Sequence, residues 1–148
     1  MKEIRGSIEI NAPVGMVWNT ITDFGSYPKW NPWIILMEGD QQVGGRLNGI
    51  IRVQGRKDTK LSSSVLKAEK DREVLMKSTV IKGMLGDTHI CVCDPIGDNR
   101  TRLTQSVVFK GLMSPFIGGI VKDQQNGLDL MNETVKRKCE GTGSADPK

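Results

Sequence analysis

Residues Ser114–Cys139, SPFIGGIVKDQQNGLDLMNETVKRKC, decide how the rest of the chain must fold. Ser114 and Pro115 suit a helix cap and first turn. Ile117, Val121, Gln124, Leu128, Met131 and Val135 then recur at steps of four and three, the spacing of one helix face. About 25 residues at 1.5 Å each make a helix of roughly 38 Å, enough to cross a small sheet. Lys136-Arg137-Lys138 closes it with cations where the helix dipole favours them. Gly118, Gly119 and Gly127 each weaken a helix interior by about 1 kcal/mol against Ala, and Gln124 interrupts the apolar seam. Small residues and one amide on a face that meets a sheet point to space between the layers. The plainer alternative is a kink at Gly118-Gly119 with Gln124 turned to solvent.

Upstream of this helix the dominant period is two. Ile4, Gly6, Ile8 and Ile10 alternate with Glu3, Arg5, Ser7 and Glu9, which reads as a half-buried strand. Asn11-Ala12-Pro13 opens a short amphipathic helix carrying Val14, Val17, Trp18 and Ile21 to about Asp23, with Pro in its first turn. Phe24–Trp30, with Gly25 and Pro28, reads as a second and shorter helical piece. Strands resume from Trp33. Leu47, Gly49, Ile51 and Val53 alternate with Arg46, Asn48, Ile50 and Arg52. Leu61–Ala68 pairs with Glu73–Val80 across Glu69-Lys70-Asp71-Arg72, and Asp87–Asp94 pairs with Thr101–Lys110 across Pro95–Asn99. The order is strand, two short helices, about six strands, one long helix. An antiparallel sheet needs cover on one face, and only the long helix can supply it.

Composition bounds the partners. The 148 residues suit about one domain, assigned to 1–140, with a polar tail over 141–148. At 37% hydrophobic and 26% charged the chain is neither disordered nor membrane-embedded. The net charge of +4 is scattered apart from Arg56-Lys57 and Lys136–Lys138, so nucleic acid is not expected. No apolar run reaches the 18 or more residues of a spanning helix, and no signal-like stretch follows Met1-Lys2-Glu3-Ile4-Arg5. A cytoplasmic protein with reduced thiols is the expectation. His89, Cys91 and Cys93 cannot gather on one ion, because strand positions two apart are about 6.7 Å from each other. No metal and no cofactor are expected.

Several motifs resemble the START-like proteins of the SRPBCC superfamily, in the polyketide cyclase/dehydrase and lipid-transport group. They are Ala12-Pro13…Val17-Trp18…Thr22-Asp23, the Trp30-Asn31-Pro32 turn after Tyr27, and Gly39 with Gly44. Leu75, Gly86 with His89, Thr101-Arg102-Leu103-Thr104 and Phe109-Lys110-Gly111 complete the set. The likeness runs over about residues 3–139. It implies an α+β helix-grip fold, in which a curved antiparallel sheet of about seven strands wraps a long C-terminal helix around a hydrophobic cavity. The chain departs from the family at Lys77, where members often carry Trp, and at Gln105 and Val107, where they often carry His and Glu. Those differences weigh against catalysis.

The resemblance places His89, the sole histidine, on the inner face, with Cys91 and Cys93 at the same parity. Ile90 and Val92 are also apolar, so alternation leaves the inward set open. A histidine without a carboxylate partner is poorly equipped as a general base. The first functional expectation is therefore binding or carrying of a small hydrophobic or amphipathic molecule. Leu47, Ile51, Leu103, Val107 and Phe109 would form the sheet wall, and Ile117, Ile120, Val121, Gln124 and Leu128 the helix wall. His89 and Gln105 would orient the ligand. Trp30 would stand near the mouth, its alternative being a packed hinge with Trp33, while Leu112, Met113 and Phe116 offer another rim. A second reading is a polyketide cyclase/aromatase-like enzyme using His89. A third, from analogy alone, is an adaptor that grips a protein partner or a quinone-bearing membrane; a homodimer is also allowed.

Overall fold

A computed structural model describes residues 2–111 and 117–141. Strand β1 (Lys2–Ile10) leads into helix α1 (Val14–Thr22), a 3-10 turn over Phe24–Ser26 and the four-residue helix α2 (Tyr27–Trp30). Six strands follow: β2 (Ile34–Gly39), β3 (Arg46–Ile51), β4 (Thr59–Glu69), β5 (Glu73–Ile81), β6 (Leu85–Gly97) and β7 (Arg100–Lys110). Helix α3 (Gly118–Glu140) ends the described chain. All neighbours pair antiparallel in the order β1-β7-β6-β5-β4-β3-β2. Register shifts at Ile34/Leu36, Val65/Lys67, Thr79/Ile81 and Pro95/Gly97 each insert a bulge, the device that bends a strand. This is the helix-grip architecture.

Helix α3 grips the sheet most tightly at the β1 edge. Gln125 Oε1 accepts from the Arg5 amide at 3.2 Å, and its Nε2 donates to the Arg5 carbonyl at 2.9 Å. Lys136 Nζ donates to the Glu9 carbonyl at 2.9 Å, and Glu140 accepts from the Asn11 amide at 2.8 Å. Three side chains of one helix thereby occupy backbone groups that an open edge would offer to another chain. Gly6 permits the approach, since a Cβ there would lie 2.8 Å from Leu128 Cδ2. Leu128, Met131 and Val135 are fully buried in the solid part of the core.

Some expected details differ. Pro13 is the N-cap of α1 and not its first helical residue. Strand β6 continues through Pro95 to Gly97, so only Asp98-Asn99 turn the chain. Ser114-Pro115 lie outside the described residues, and α3 is capped by Ile117. Gly118 and Gly119 stand exposed in its first turn, where no interior kink arises, and Gln124 is buried.

Candidate functional site

The site begins at the turn after α2. Asn31 Oδ1 accepts from the backbone amides of Trp33 and Ile34, each at 2.9 Å. This side-chain turn, of the kind Asn favours, aims Trp33 into the protein. Its indole Nε1 donates to Gln124 Oε1 at 2.7 Å, and its ring lies 5.5 Å from that of His89. Gly127 makes room for the ring, for a Cβ there would sit 2.8 Å from Trp33 Cγ and Nε1. The glycine therefore receives an indole and leaves no empty layer at that level.

Empty space lies one turn toward the start of α3. A cavity of about 110 Å³ is bounded by Ile117, Ile120 and Gln124 of the helix and by six strands and Trp33 opposite. Strand β2 contributes Ile34 and Met37, β3 Ile51, β4 Thr59 and Leu61, and β5 Met76, Ser78 and Val80. Leu85, Asp87 and His89 of β6 and Val107 and Phe109 of β7 complete the wall. No Lys or Arg is among these residues.

A buried polar chain backs the cavity. Gln105 Nε2 donates to Asn132 Oδ1 at 2.7 Å, so Gln105 Oε1 is the acceptor facing His89 Nε2 at 2.8 Å. That arrangement assigns the proton to Nε2 and leaves the Nδ1 lone pair free. The Cys91 thiol donates to the same Gln105 oxygen at 3.4 Å. Burial holds His89 down to about 4, against a smaller opposite pull from the Gln105 bond, so the ring is neutral near pH 7. Two positions earlier on the same face stands Asp87. Burial pushes its carboxyl up to about 7, and no described side chain bonds it. The cavity thus contains the carboxylate that the sequence reading denied to His89.

Of the expected contacts, Ile51, His89, Val107, Phe109, Ile117, Ile120 and Gln124 line the cavity. Leu47, Leu103 and Leu128 are fully buried in the packed core, and Val121 packs against that core from a half-buried position. Gln105 sits behind His89. Trp30 bonds Ser26 Oγ at 2.9 Å and stacks edge-on against Tyr27 at 5.3 Å, the packed-hinge arrangement. Leu112, Met113 and Phe116 lie outside the described residues. Trp33, Met37, Leu61, Met76 and Asp87 are among the lining residues not anticipated. Parity was the available signal for two of them: Met76 faces in with Val74 and Ser78 while Lys77 and Thr79 face out, and Asp87 shares the parity of His89.

The family described as polyketide cyclase/dehydrase and lipid transport matches residues 1–141. No curated protein matches the sequence. Among solved structures, a START superfamily protein from Mycobacterium smegmatis superposes with a TM-score of 0.76 at 16% identity, covering 94% of this chain and 97% of its own. Norcoclaurine synthase from Thalictrum flavum, in complex with dopamine and hydroxybenzaldehyde, gives 0.71 at 15% identity over 95% and 87% of the two chains. The Zhui aromatase/cyclase from Streptomyces sp. R1128 gives 0.70 at 12% identity over 94% and 93%. At these identities the likeness is one of fold. No described helix is long and apolar enough to cross a membrane.

Proposed function

The chain belongs to the polyketide cyclase/dehydrase and lipid transport family, and we propose that it binds and carries a small hydrophobic or amphipathic molecule between its sheet and its C-terminal helix. The observation that carries this reading is the cavity itself: aliphatic and aromatic walls with a few convergent polar groups, the usual make-up of a ligand site. Burial of apolar surface, at about 25 cal/mol per Å², would drive binding. Ile51, Val107, Phe109, Ile117 and Ile120 form the apolar wall, and His89 and Gln124 fix orientation. A resting volume of about 110 Å³ is somewhat below the roughly 150 Å³ of a cavity that accepts benzene, so a one-ring guest already needs a small outward shift of the wall. Larger guests require wall side chains to swing aside.

Native mass spectrometry of freshly purified protein, followed by solvent extraction of whatever is released, tests the proposal. A reproducible small-molecule adduct that disappears in a folded Val107→Trp variant supports it. An adduct retained by that variant removes the cavity from the argument.

One observation favours a second reading, cyclase-like catalysis. A carboxyl that burial pushes up to about 7 lines the same cavity as a neutral imidazole, and a group whose pKa matches the working pH is the better general acid or base. His89, titrating near 4, would act as a hydrogen-bond acceptor and Asp87 as the proton carrier. Turnover of a cyclisable polyketide that survives Asp87→Asn and His89→Ala sinks this alternative.

A further inference from the structure

Building on the carrier reading, we propose that the cavity selects guests whose polar end is an amine, with Asp87 and His89 Nδ1 as the groups that receive it. The polar inventory carries this. The two titratable residues on the wall are a carboxylate and an imidazole whose Nε2–H is committed to Gln105 by the Gln105–Asn132 relay, so each has an acceptor left to offer a guest. Neither has another described partner on the cavity side. A carboxylate moved out of water without a counter-charge is costly, and an ammonium group offsets that cost. A fatty acid or other carboxylate would instead set like charges side by side.

Among the described residues that line the cavity, no cation faces Asp87. From β5 it faces Ser78, whose hydroxyl is engaged with Ser63 Oγ at 2.5 Å, and from β7 it faces Phe109. Lys77 and Lys110, the closest cations along those strands, are exposed on the outside. On α3 the facing residues are Ile117, Ile120 and Gln124, while Asp123 is engaged by Arg56. Residues 112–116, Leu-Met-Ser-Pro-Phe, contain no ionisable side chain. His89 is the other titratable group on the wall, and it is neutral.

The test is a matched set of one-ring probes, benzylamine, benzyl alcohol and benzoate, titrated into the protein at pH 8 and followed by NMR. The expected order is amine, then alcohol, then acid, with benzylamine ahead of benzyl alcohol by about tenfold or more, the scale of one charge-assisted hydrogen bond. In the unmutated protein benzylamine affinity should fall about tenfold per unit as pH drops below about 7, because the probe stays charged while Asp87 takes up a proton. Asp87→Asn should erase both the preference and the pH dependence. Benzyl alcohol binding with no preference for the amine, or a preference untouched by pH and by Asp87→Asn, overturns the amine assignment and leaves the carrier reading standing. Failure of all three probes overturns both. Binding that persists in Val107→Trp places the probes elsewhere and also overturns the assignment.

Discussion

Trp33 Nε1 donates to Gln124 Oε1 at 2.7 Å across ninety-one positions of sequence, and the same indole rests on the bare backbone of Gly127. One side chain thus joins the strand side of the molecule to the covering helix and closes the floor of the cavity. Below it the core is solid. Above it the helix and sheet diverge, and the cavity occupies the gap.

Trp33→Phe keeps a ring in the pocket but removes the donor, so a buried amide oxygen loses its partner. An orphaned group of this kind costs about 1–3 kcal/mol. The expected result is a folded protein with a lower urea midpoint, and Trp33→Phe combined with Gln124→Leu should lose less than the two single changes added together. Strict additivity would show that the bond does not couple the layers.

Gly127→Ala separates two effects of opposite sign. Helix propensity alone favours Ala by about 1 kcal/mol, yet the added Cβ overlaps the Trp33 ring. The steric term should win because Asn31 fixes the start of the Trp33 segment through two backbone hydrogen bonds. Thermal melting should therefore show a net loss. A raised midpoint would mean that the indole shifts at little cost.

Gln105 holds His89 on one side and Asn132 on the other. Gln105→Leu preserves approximate volume but strands a buried N–H and a buried carbonyl, each costing about 1–3 kcal/mol. It also removes the bond that raises the His89 pKa, so the ring should titrate at still lower pH. The single histidine of the chain makes this measurable from one imidazole resonance. An unchanged or higher titration point would contradict the assigned tautomer.

Cys91, Cys93 and Cys139 are all unpaired and buried. Burial pushes the Cys93 thiol up to about 12 and moves Cys91 and Cys139 upward as well. Because the thiolate is the reactive form, none should react quickly with a disulfide reagent in the native protein. All three should react in denaturant. A thiol that labels rapidly under native conditions would locate a site of local opening.

The strands were legible because their alternation is strong, as in Ile4-Gly6-Ile8-Ile10, where each apolar residue faces a polar neighbour. The cavity was not. On β6 both parities are apolar, with Cys91 and Cys93 against Ile90 and Val92, so the inward set is decided by pairing with β5 and β7 and not by local pattern. Asp87 then counts as a solvent group unless its face is known. Trp30 and Trp33 flank the same turn, and which one enters depends on the two bonds Asn31 makes to the backbone after it. Gly127 was read as space, when its function is close contact. In each case the deciding partner lies far along the chain.

Asp87 and His89 should oppose each other in the pH dependence of stability. Asp87 titrates at about 7 in the fold against an ordinary value of 3.8, so the folded chain binds more protons between those limits. Stability from this group is full below the lower value and is lost as pH rises through about 7. His89 titrates at about 4 in the fold against an ordinary 6.5, and the folded chain binds fewer protons across that interval. Its contribution is full above 6.5 and is lost as pH falls through about 4. The slopes have opposite signs over the shared window, so the unmutated protein should show little dependence from this pair. Asp87→Asn leaves His89 alone, and its stability relative to the unmutated protein should fall as pH is lowered from 6.5 to about 4. His89→Gln leaves Asp87 alone, and its relative stability should rise as pH is lowered from about 7 to about 4. Urea midpoints at four pH values across this range check both, with other carboxylates cancelling in the comparison. Curves for the two variants that run parallel to the unmutated protein would show that neither group is desolvated as the cavity geometry requires.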